Sequence, residues 1–274
     1  MSIVRPAAPH KGSGYAPVNG LNMYYEITGK GEPLVYIPCA FAFAGLTDFP
    51  ELSERWRVVQ VDLQGHGHAA DIDRPLSFVQ HVKDVVALMR HLGLERAHLF
   101  GWSYGGLIAM LVAIEHPELV DRVATYGALY GVAEDAIRPD KLGAPHEPSP
   151  DGSAHQFVRE HYQRVAPDPD RWPVIWKKLM EMAPVALTRA QLSSVRNRVL
   201  VAIGDNDFIS LEHAVNAHRS LPNSELAIIP DATHFLLFDR PSKLEPILAE
   251  FFSAPAERLP FGTIETGYYP GLRR

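Results

Sequence analysis

Short runs of apolar and β-branched residues, each bounded by Gly, Pro or charge, alternate along this chain with stretches of helical periodicity. The runs are Leu34-Val-Tyr-Ile37, Arg57-Val-Val-Gln-Val61, Ala97-His-Leu-Phe100, Val120 to Tyr126, Arg198-Val-Leu-Val-Ala-Ile203 and Glu225-Leu-Ala-Ile-Ile229. Between them, Ser77 to Leu92 sets Val82, Val85, Val86, Met89 and Leu92 on one face. Tyr104 to His116 is apolar almost all round and stops before Pro117, which predicts a deeply buried helix. Another helix is expected from about Pro241 to Phe252. Strand and helix in alternation predict a mostly parallel sheet covered on both faces, because neighbouring parallel strands need a crossover long enough to hold a helix. Ahead of this region, Tyr15 to Ile27 reads as two strands around the turn pair Asn19-Gly20, and the first dozen residues as a loose lead-in.

The rhythm breaks between about residues 130 and 194. There a Pro-rich loop, Pro139 to Pro150, precedes helical segments near Gln156 to Tyr162 and Trp172 to Met182. With 274 residues, the chain fits one large domain, 1–274, carrying an inserted helical cap at 130–194. The insertion equally fits a cover over a sheet edge, and its Tyr162, Trp172, Trp176, Met180 and Met182 either line a pocket or pack the insertion itself. The tail from Ala254 to Arg274, with Phe261, Tyr268 and Tyr269, reads as irregular and suited to wrapping the body or a second subunit.

Composition removes several classes. Apolar residues make up 46% and charged residues 21%, the balance of a folded globular chain. The net charge of -6 disfavours nucleic acid or an anionic membrane as principal partner, since phosphate binding needs a positive field. One cysteine, Cys39, excludes an internal disulfide and a Cys-rich metal site. No signal-like run opens the chain and no stretch nears the roughly 20 apolar residues that span a bilayer, so a soluble, cytoplasmic protein is expected.

The residues that carry chemistry begin with Gly101-Trp102-Ser103-Tyr104-Gly105-Gly106, directly after the Ala97 strand and before the buried helix. A serine on so sharp a strand-to-helix turn projects its hydroxyl above the sheet, and glycines two residues to either side avoid collisions with the neighbouring helix and strand. The helix N-terminus adds free N–H groups where an oxyanion would form. The same letters also fit an ordinary tight turn with a capping serine. A serine hydroxyl is a poor nucleophile and needs a base and an orienting carboxylate. Gly204-Asp205-Asn206-Asp207 and Pro230-Asp231-Ala232-Thr233-His234-Phe235 follow two later strands and supply one of each, at the sheet edge where ligands bind in open α/β folds.

With these residues in order, the chain resembles the α/β-hydrolase superfamily from about Gly20 to Phe252. The resemblance implies the α/β-hydrolase fold, a mostly parallel eight-stranded sheet with helices on both faces and a helical cap. The family carries its acid in a Gly-x-x-Asp stretch after the penultimate strand, which points to Asp207 with Asp205 as runner-up. Its base follows the last strand, matched by Thr233-His234, so the implied catalytic set is Ser103, Asp207 and His234. Val61-Asp62-Leu63-Gln64-Gly65-His66-Gly67 resembles the family's Asp-x-x-Gly-x-Gly turn, which makes His66 and His68 turn residues and not metal ligands. The family commonly has His-Gly-x after its third strand, whereas this chain has Ile37-Pro38-Cys39-Ala40. The resemblance implies an oxyanion hole formed by the N–H groups of Ala40 and Tyr104. A positive φ at Cys39 would cost on the order of 1 kcal/mol. Cys39 as nucleophile is the alternative there, against a small buried cysteine.

The implied activity is cleavage of carboxylic esters, short to medium acyl or small lactones, through an acyl-enzyme on Ser103. Within the superfamily the likeness is to short-chain esterases, enol-lactonases and C–C bond hydrolases. Two alternatives stay open: a catalytically weak ligand-binding member, and a C–C hydrolase or lyase with the same triad. Substrate-binding candidates are Phe41, Trp102, Tyr130, Trp172, Trp176 and Phe235, each of which also suits a core. Phe41 and Phe43 with Ala42, Ala44 and Gly45 are expected to shape an apolar pocket or to pack the core. No cofactor or metal is implied, since no metal-binding or nucleotide-binding motif occurs and His213 and His218 lie five apart on an expected helix. The expected partner is a small-molecule ester, with a homodimer suggested by the aromatic tail.

Overall fold

The computed structural model describes residues 12–131, 136–138 and 156–255. The lead-in through residue 11, the Pro-rich loop and the tail beyond 255 lie outside the described residues. Eight strands form one sheet: β1 Gly12–Val18, β2 Leu21–Gly29, β3 Glu32–Ile37, β4 Trp56–Val61, β5 Ala97–Trp102, β6 Val120–Tyr126, β7 Arg198–Gly204 and β8 Ser224–Ile229. Their spatial order is β1-β2-β4-β3-β5-β6-β7-β8. Only β1–β2 and β2–β4 pair antiparallel; the other neighbours run parallel. The Asn19-Gly20 turn closes the first hairpin with both residues at positive φ, 49° and 80°, the backbone that a tight two-residue hairpin demands.

Alternate strand residues feed two cores, the period-2 signature of a sheet buried on both faces. Val35, Ile37, Val59, Leu99, Val123, Val199 and Val201 pack on one side against helices α2 (Phe78–His91) and α3 (Tyr104–Glu115). Leu34, Tyr36, Val58, Phe100, Ala124 and Leu200 pack on the other against α1 (Pro50–Arg55) and the C-terminal helix. Every residue of α3 from Gly105 to Ala113 is buried, because the helix lies between the sheet and α2; this is why its sequence shows no polar face. Ser77 caps α2 by accepting the Gln80 N–H.

Among the described residues, three α-helices lie between β6 and β7: α4 Gln156–Val165, α5 Trp172–Met180 and α6 Arg189–Ser194. After β7 come α7 (Leu211–Ser220) and, beyond β8, α8 (Leu236–Asp239) and α9 (Glu245–Ser253). The helix expected from Pro241 starts at Glu245, because residues 241–243 form a separate 3₁₀ turn opened by the proline. The short helices α1, α6 and α8, of four to six residues, carry too few turns for their periodicity to show in the sequence.

Candidate active site

The site sits at the C-terminal ends of the parallel strands. Ser103 occupies the turn between β5 and α3 at φ 54° and ψ −114°, a backbone that L-residues rarely adopt. The turn is held from all sides. The Ser103 N–H donates to the Tyr126 carbonyl (2.8 Å), and the Ser103 carbonyl accepts the N–H groups of Gly106 and Leu107. A Cβ on Gly101 would strike the Gly105 backbone, and one on Gly105 would strike the carbonyl oxygens of Ile37 and Pro38. The two glycines therefore let β5, α3 and the end of β3 approach to backbone contact.

The loops after β7 and β8 bring the other two residues to Ser103. His234 Nε2 lies 2.9 Å from Ser103 Oγ, and His234 Nδ1 lies 2.9 Å from Asp207 Oδ1 and 3.1 Å from Oδ2. With Nδ1–H donating to the carboxylate, Nε2 is left as an acceptor for the serine hydroxyl. Asp207 Oδ1 also accepts the Ile209 N–H at 2.9 Å. Asp205 faces elsewhere, accepting the Ala232 N–H at 3.1 Å and tying the two loops together. Asp207 and His234 are both buried.

Several supports of the site carry no motif in the sequence. Trp102 Nε1–H donates to the His234 carbonyl (2.9 Å) and the Tyr126 hydroxyl to the Thr233 carbonyl (2.5 Å), so two buried side chains suspend the histidine loop. Gly127, at φ 54°, ends β6 where a Cβ would come within 2.9 Å of both Asp207 Oδ2 and His234 Nδ1. Phe208 packs against the imidazole with ring centres 4.2 Å apart. The one readable sign was position: Phe208 directly follows the carboxylate, and Trp102 and Tyr126 stand at the ends of buried strands.

On the oxyanion side, Tyr104 opens α3, so its N–H has no acceptor within the helix. Ala42 N–H donates to the Cys39 carbonyl (3.0 Å), closing a turn whose third residue, Phe41, has φ 66°. The strain anticipated at Cys39 thus falls two residues later, on Phe41, at the turn position that ordinarily takes glycine. Cys39 is buried, burial pushes its thiol far above the ordinary range, and its Sγ–H points to the Ala40 carbonyl at 3.5 Å. A thiol held protonated in this way is not a nucleophile at neutral pH.

The remaining candidates divide. Phe41 stacks on Trp176 (5.1 Å, 6° between planes) and contacts Trp172 at 4.7 Å; with Tyr162 and Ile175 they form a separate aromatic core joining the inserted helices to the loop after β3. Met180 is exposed, and Met182 Sδ accepts the Tyr104 hydroxyl at 3.2 Å. Trp102 and Tyr130 are buried, and Tyr130 gives its backbone N–H to His213 Nε2 at 2.9 Å. Phe235 is exposed beside His234. Ala44 and Gly45 give their N–H groups to Asp62 and Gln60, which makes that stretch a brace of the loop. Phe43 sits edge-on against His68, and a Cβ on Gly67 would strike its Cβ.

His68 Nδ1 pairs with buried Asp62 at 2.9 Å, and His66 Nδ1 meets the Gln64 carbonyl at 2.9 Å. Burial lowers the affinity of His66 for protons and pushes His81 down to about 3. His66 Nε2 and both nitrogens of His81 are buried without a hydrogen-bond partner, so both rings are accommodated neutral. No cluster of three or more metal-ligating side chains occurs among the described residues, and no helix among them is long and apolar enough to cross a membrane.

The inserted helices are also tied down by charge. Buried Asp71 accepts from Lys178 Nζ at 2.8 and 2.9 Å, from Gln64 Nε2 at 3.0 Å and from Arg171. Burial alone would raise the Asp71 carboxyl; the Lys178, Gln64 and Arg171 hydrogen bonds outweigh it and hold the group below its ordinary range. Arg74 continues the chain of contacts, from Gln64 to Asp84, which in turn accepts from Asn19 of the first hairpin turn at 2.9 Å.

A strand-borne serine above a mostly parallel eight-stranded sheet, with histidine and aspartate delivered by the last two strand loops, defines the α/β-hydrolase arrangement. The model of the alpha/beta hydrolase fold family matches residues 43–145, and the fold of the chain is the α/β-hydrolase fold. Human serine hydrolase BPHL is 27% identical over 234 residues, covering 82% of this chain and 80% of that protein. A pimeloyl-[acyl-carrier protein] methyl ester esterase from Neisseria meningitidis serogroup B is 26% identical over 206 residues, covering 68% and 78%. Among solved structures, a 2-hydroxy-6-oxo-6-phenylhexa-2,4-dienoate hydrolase from Rhodococcus sp. strain RHA1 superimposes with TM-score 0.73 at 23% identity, covering 88% of this chain and 98% of that one. An enol-lactonase from Burkholderia xenovorans LB400 gives 0.69 at 21%, covering 88% and 100%. At family level these relatives support a hydrolase.

Proposed function

We propose that the protein hydrolyses carboxylic esters, short to medium acyl esters or small lactones, through an acyl-enzyme on Ser103. The observation that carries this reading is the continuous hydrogen-bonded line Ser103 Oγ, His234 Nε2 and Nδ1, Asp207 Oδ1, with both links at 2.9 Å. His234 takes the Ser103 proton as Oγ bonds to the acyl carbon. It then gives that proton to the departing alcohol oxygen, and later takes one from the water that frees the acid. Asp207 holds the imidazole in the tautomer this shuttle needs and stabilises the imidazolium. The N–H groups of Tyr104 and Ala40 are the oxyanion donors in this reading. The helices within 130–194 act as a cap over the site, and the partner is a small ester. The serine hydrolase and methyl ester esterase among the relatives agree with this chemistry.

The test is the hydrolysis of p-nitrophenyl acetate, butyrate and octanoate by the wild type and by Ser103→Ala. A loss of at least about a thousandfold in the variant is expected, with chain-length preference sizing the acyl pocket. Equal inactivity of both proteins would overturn the ester reading. A ligand-binding member, or a C–C hydrolase or lyase using the same residues, would then stand in its place.

A further inference from the structure

We propose that the protein selects esters of aromatic alcohols, and that the ring of the alcohol lies on an exposed aromatic platform formed by Phe235, Phe238 and Phe157. This rests on the ester-hydrolase reading and adds the side of the site on which the alcohol is recognised. Phe235 stands edge-on to the His234 imidazole with centres 5.5 Å apart, yet 48% of its surface is exposed. It stacks parallel to Phe238, with 8° between the planes and 6.1 Å between centres. Phe238 in turn meets Phe157 at 5.2 Å, and Phe157 is 47% exposed. Beneath them Phe238 rests edge-on against buried Trp102 at 4.7 Å.

A single exposed phenylalanine is ordinary, but three adjoining rings that join helix α8 to helix α4 of the insertion form an apolar patch, which calls for an occupant. Chemistry decides which one. In ester cleavage the proton that His234 carries from Ser103 must reach the alcohol oxygen as its bond to the acyl carbon breaks. The leaving alcohol is therefore the part of the substrate nearest the imidazole, and the acyl part stays bonded to Ser103. The rings continuing outward from His234 are placed to meet what is attached to that oxygen. Flat exposed ring faces and edges favour a second aromatic ring through offset or edge-to-face packing over a saturated group of similar bulk.

The experiment compares kcat/KM for methyl, cyclohexylmethyl, benzyl and 2-naphthylmethyl acetate, which share one acyl group, in the wild type, Phe157→Ala and the double variant Phe157→Ala/Phe238→Ala. The wild type should prefer benzyl over methyl acetate by about tenfold and benzyl over cyclohexylmethyl by about threefold. Phe157→Ala should cut the benzyl-to-methyl ratio by about threefold, chiefly through KM, and the double variant should nearly abolish it. Methyl acetate turned over with a flat alcohol series would overturn the proposal while leaving the ester reading intact, as would a preference that survives the double variant. Failure to hydrolyse any acetate would remove the ester reading and the proposal together.

Discussion

The floor of the site and the helices inserted between β6 and β7 are held by different kinds of contact. Ser103, Asp207 and His234 are placed by backbone hydrogen bonds, glycine close approaches and two buried donors, Trp102 and Tyr126, all rooted in sheet strands. The inserted helices are attached by side chains in the contacts described above: chiefly an aromatic cluster around Phe41 and a buried carboxylate, Asp71, with its cations, beside the Phe157–Phe238 and Met182–Tyr104 contacts. Backbone-set geometry leaves little room for adjustment, which suits atoms that must stay within hydrogen-bond reach. Side-chain attachment can be retuned residue by residue, so sheet floor and insertion are expected to respond to different perturbations.

Four measurements would break or sharpen that contrast. Largest is Asp207→Asn, expected to lower kcat for p-nitrophenyl butyrate by about 10³- to 10⁴-fold while thermal unfolding stays close to wild type. A loss under tenfold would mean that the floor does not work as one unit.

Acid should separate the two regions next. His66 and His81 are held neutral in the fold and would charge in the unfolded chain near pH 6.5. The unfolded state therefore binds more protons as pH falls below about 6.5, and stability drops until the folded-state values are passed, near pH 3 for His81. For His81 the full effect is on the order of 5 kcal/mol. Asp71, held below its ordinary range, keeps its contribution above about pH 4 and loses it only below that. Urea unfolding of wild type and His81→Leu between pH 7 and 4 should show a flatter decline for the variant. Parallel curves would remove the buried imidazole from the acid response.

Trp172→Ala, which empties the centre of the aromatic cluster, should cost about 3 kcal/mol. If the insertion unfolds with the body, the global denaturant midpoint will shift; if it detaches alone, proteolysis near α4 and α5 will rise with the midpoint unchanged. Smallest is Asp71→Asn, expected to lower the melting temperature by about 2–4 °C, equivalent to about 1 kcal/mol. Added salt should weaken the wild-type attachment only slightly, because the carboxylate is buried.

The same contrast explains what could be read from the sequence. The floor was readable because local grammar encodes it: an Asn-Gly turn, a glycine-flanked serine between a strand and a helix with no polar face, and acid and base at the ends of the last two strands. The strands β3 to β7 follow from runs whose two-faced burial leaves little polar alternation, whereas β1 and β2 alternate exposed and buried residues around the Asn-Gly turn. The insertion's attachment was not readable, since Asp71 meets Arg171 and Lys178 across 100 and 107 residues and nothing near any of them marks the pairing. The strained position at Phe41 carries no mark in the sequence for another reason: glycine is the usual sign of a positive φ, and here an aromatic side chain takes that backbone while stacking on Trp176. An aromatic side chain beside a nucleophile suits a pocket or a support, and the sequence does not show the bond from Trp102 Nε1 to the His234 carbonyl.

The contact chain from Lys178 through Asp71, Gln64, Arg74 and Asp84 to Asn19 bears on how such a chain can be recombined. Residues 156–194 do not form an exchangeable cassette, since their charged anchors reside in the loop after β4 and, through it, in the first hairpin. A chimaera that transplants the inserted helices alone would leave Arg171 and Lys178 facing a foreign loop. One that moves residues 62–74 with them carries both halves of the lock. Natural or laboratory evolution of the insertion should therefore proceed by paired change across these two segments.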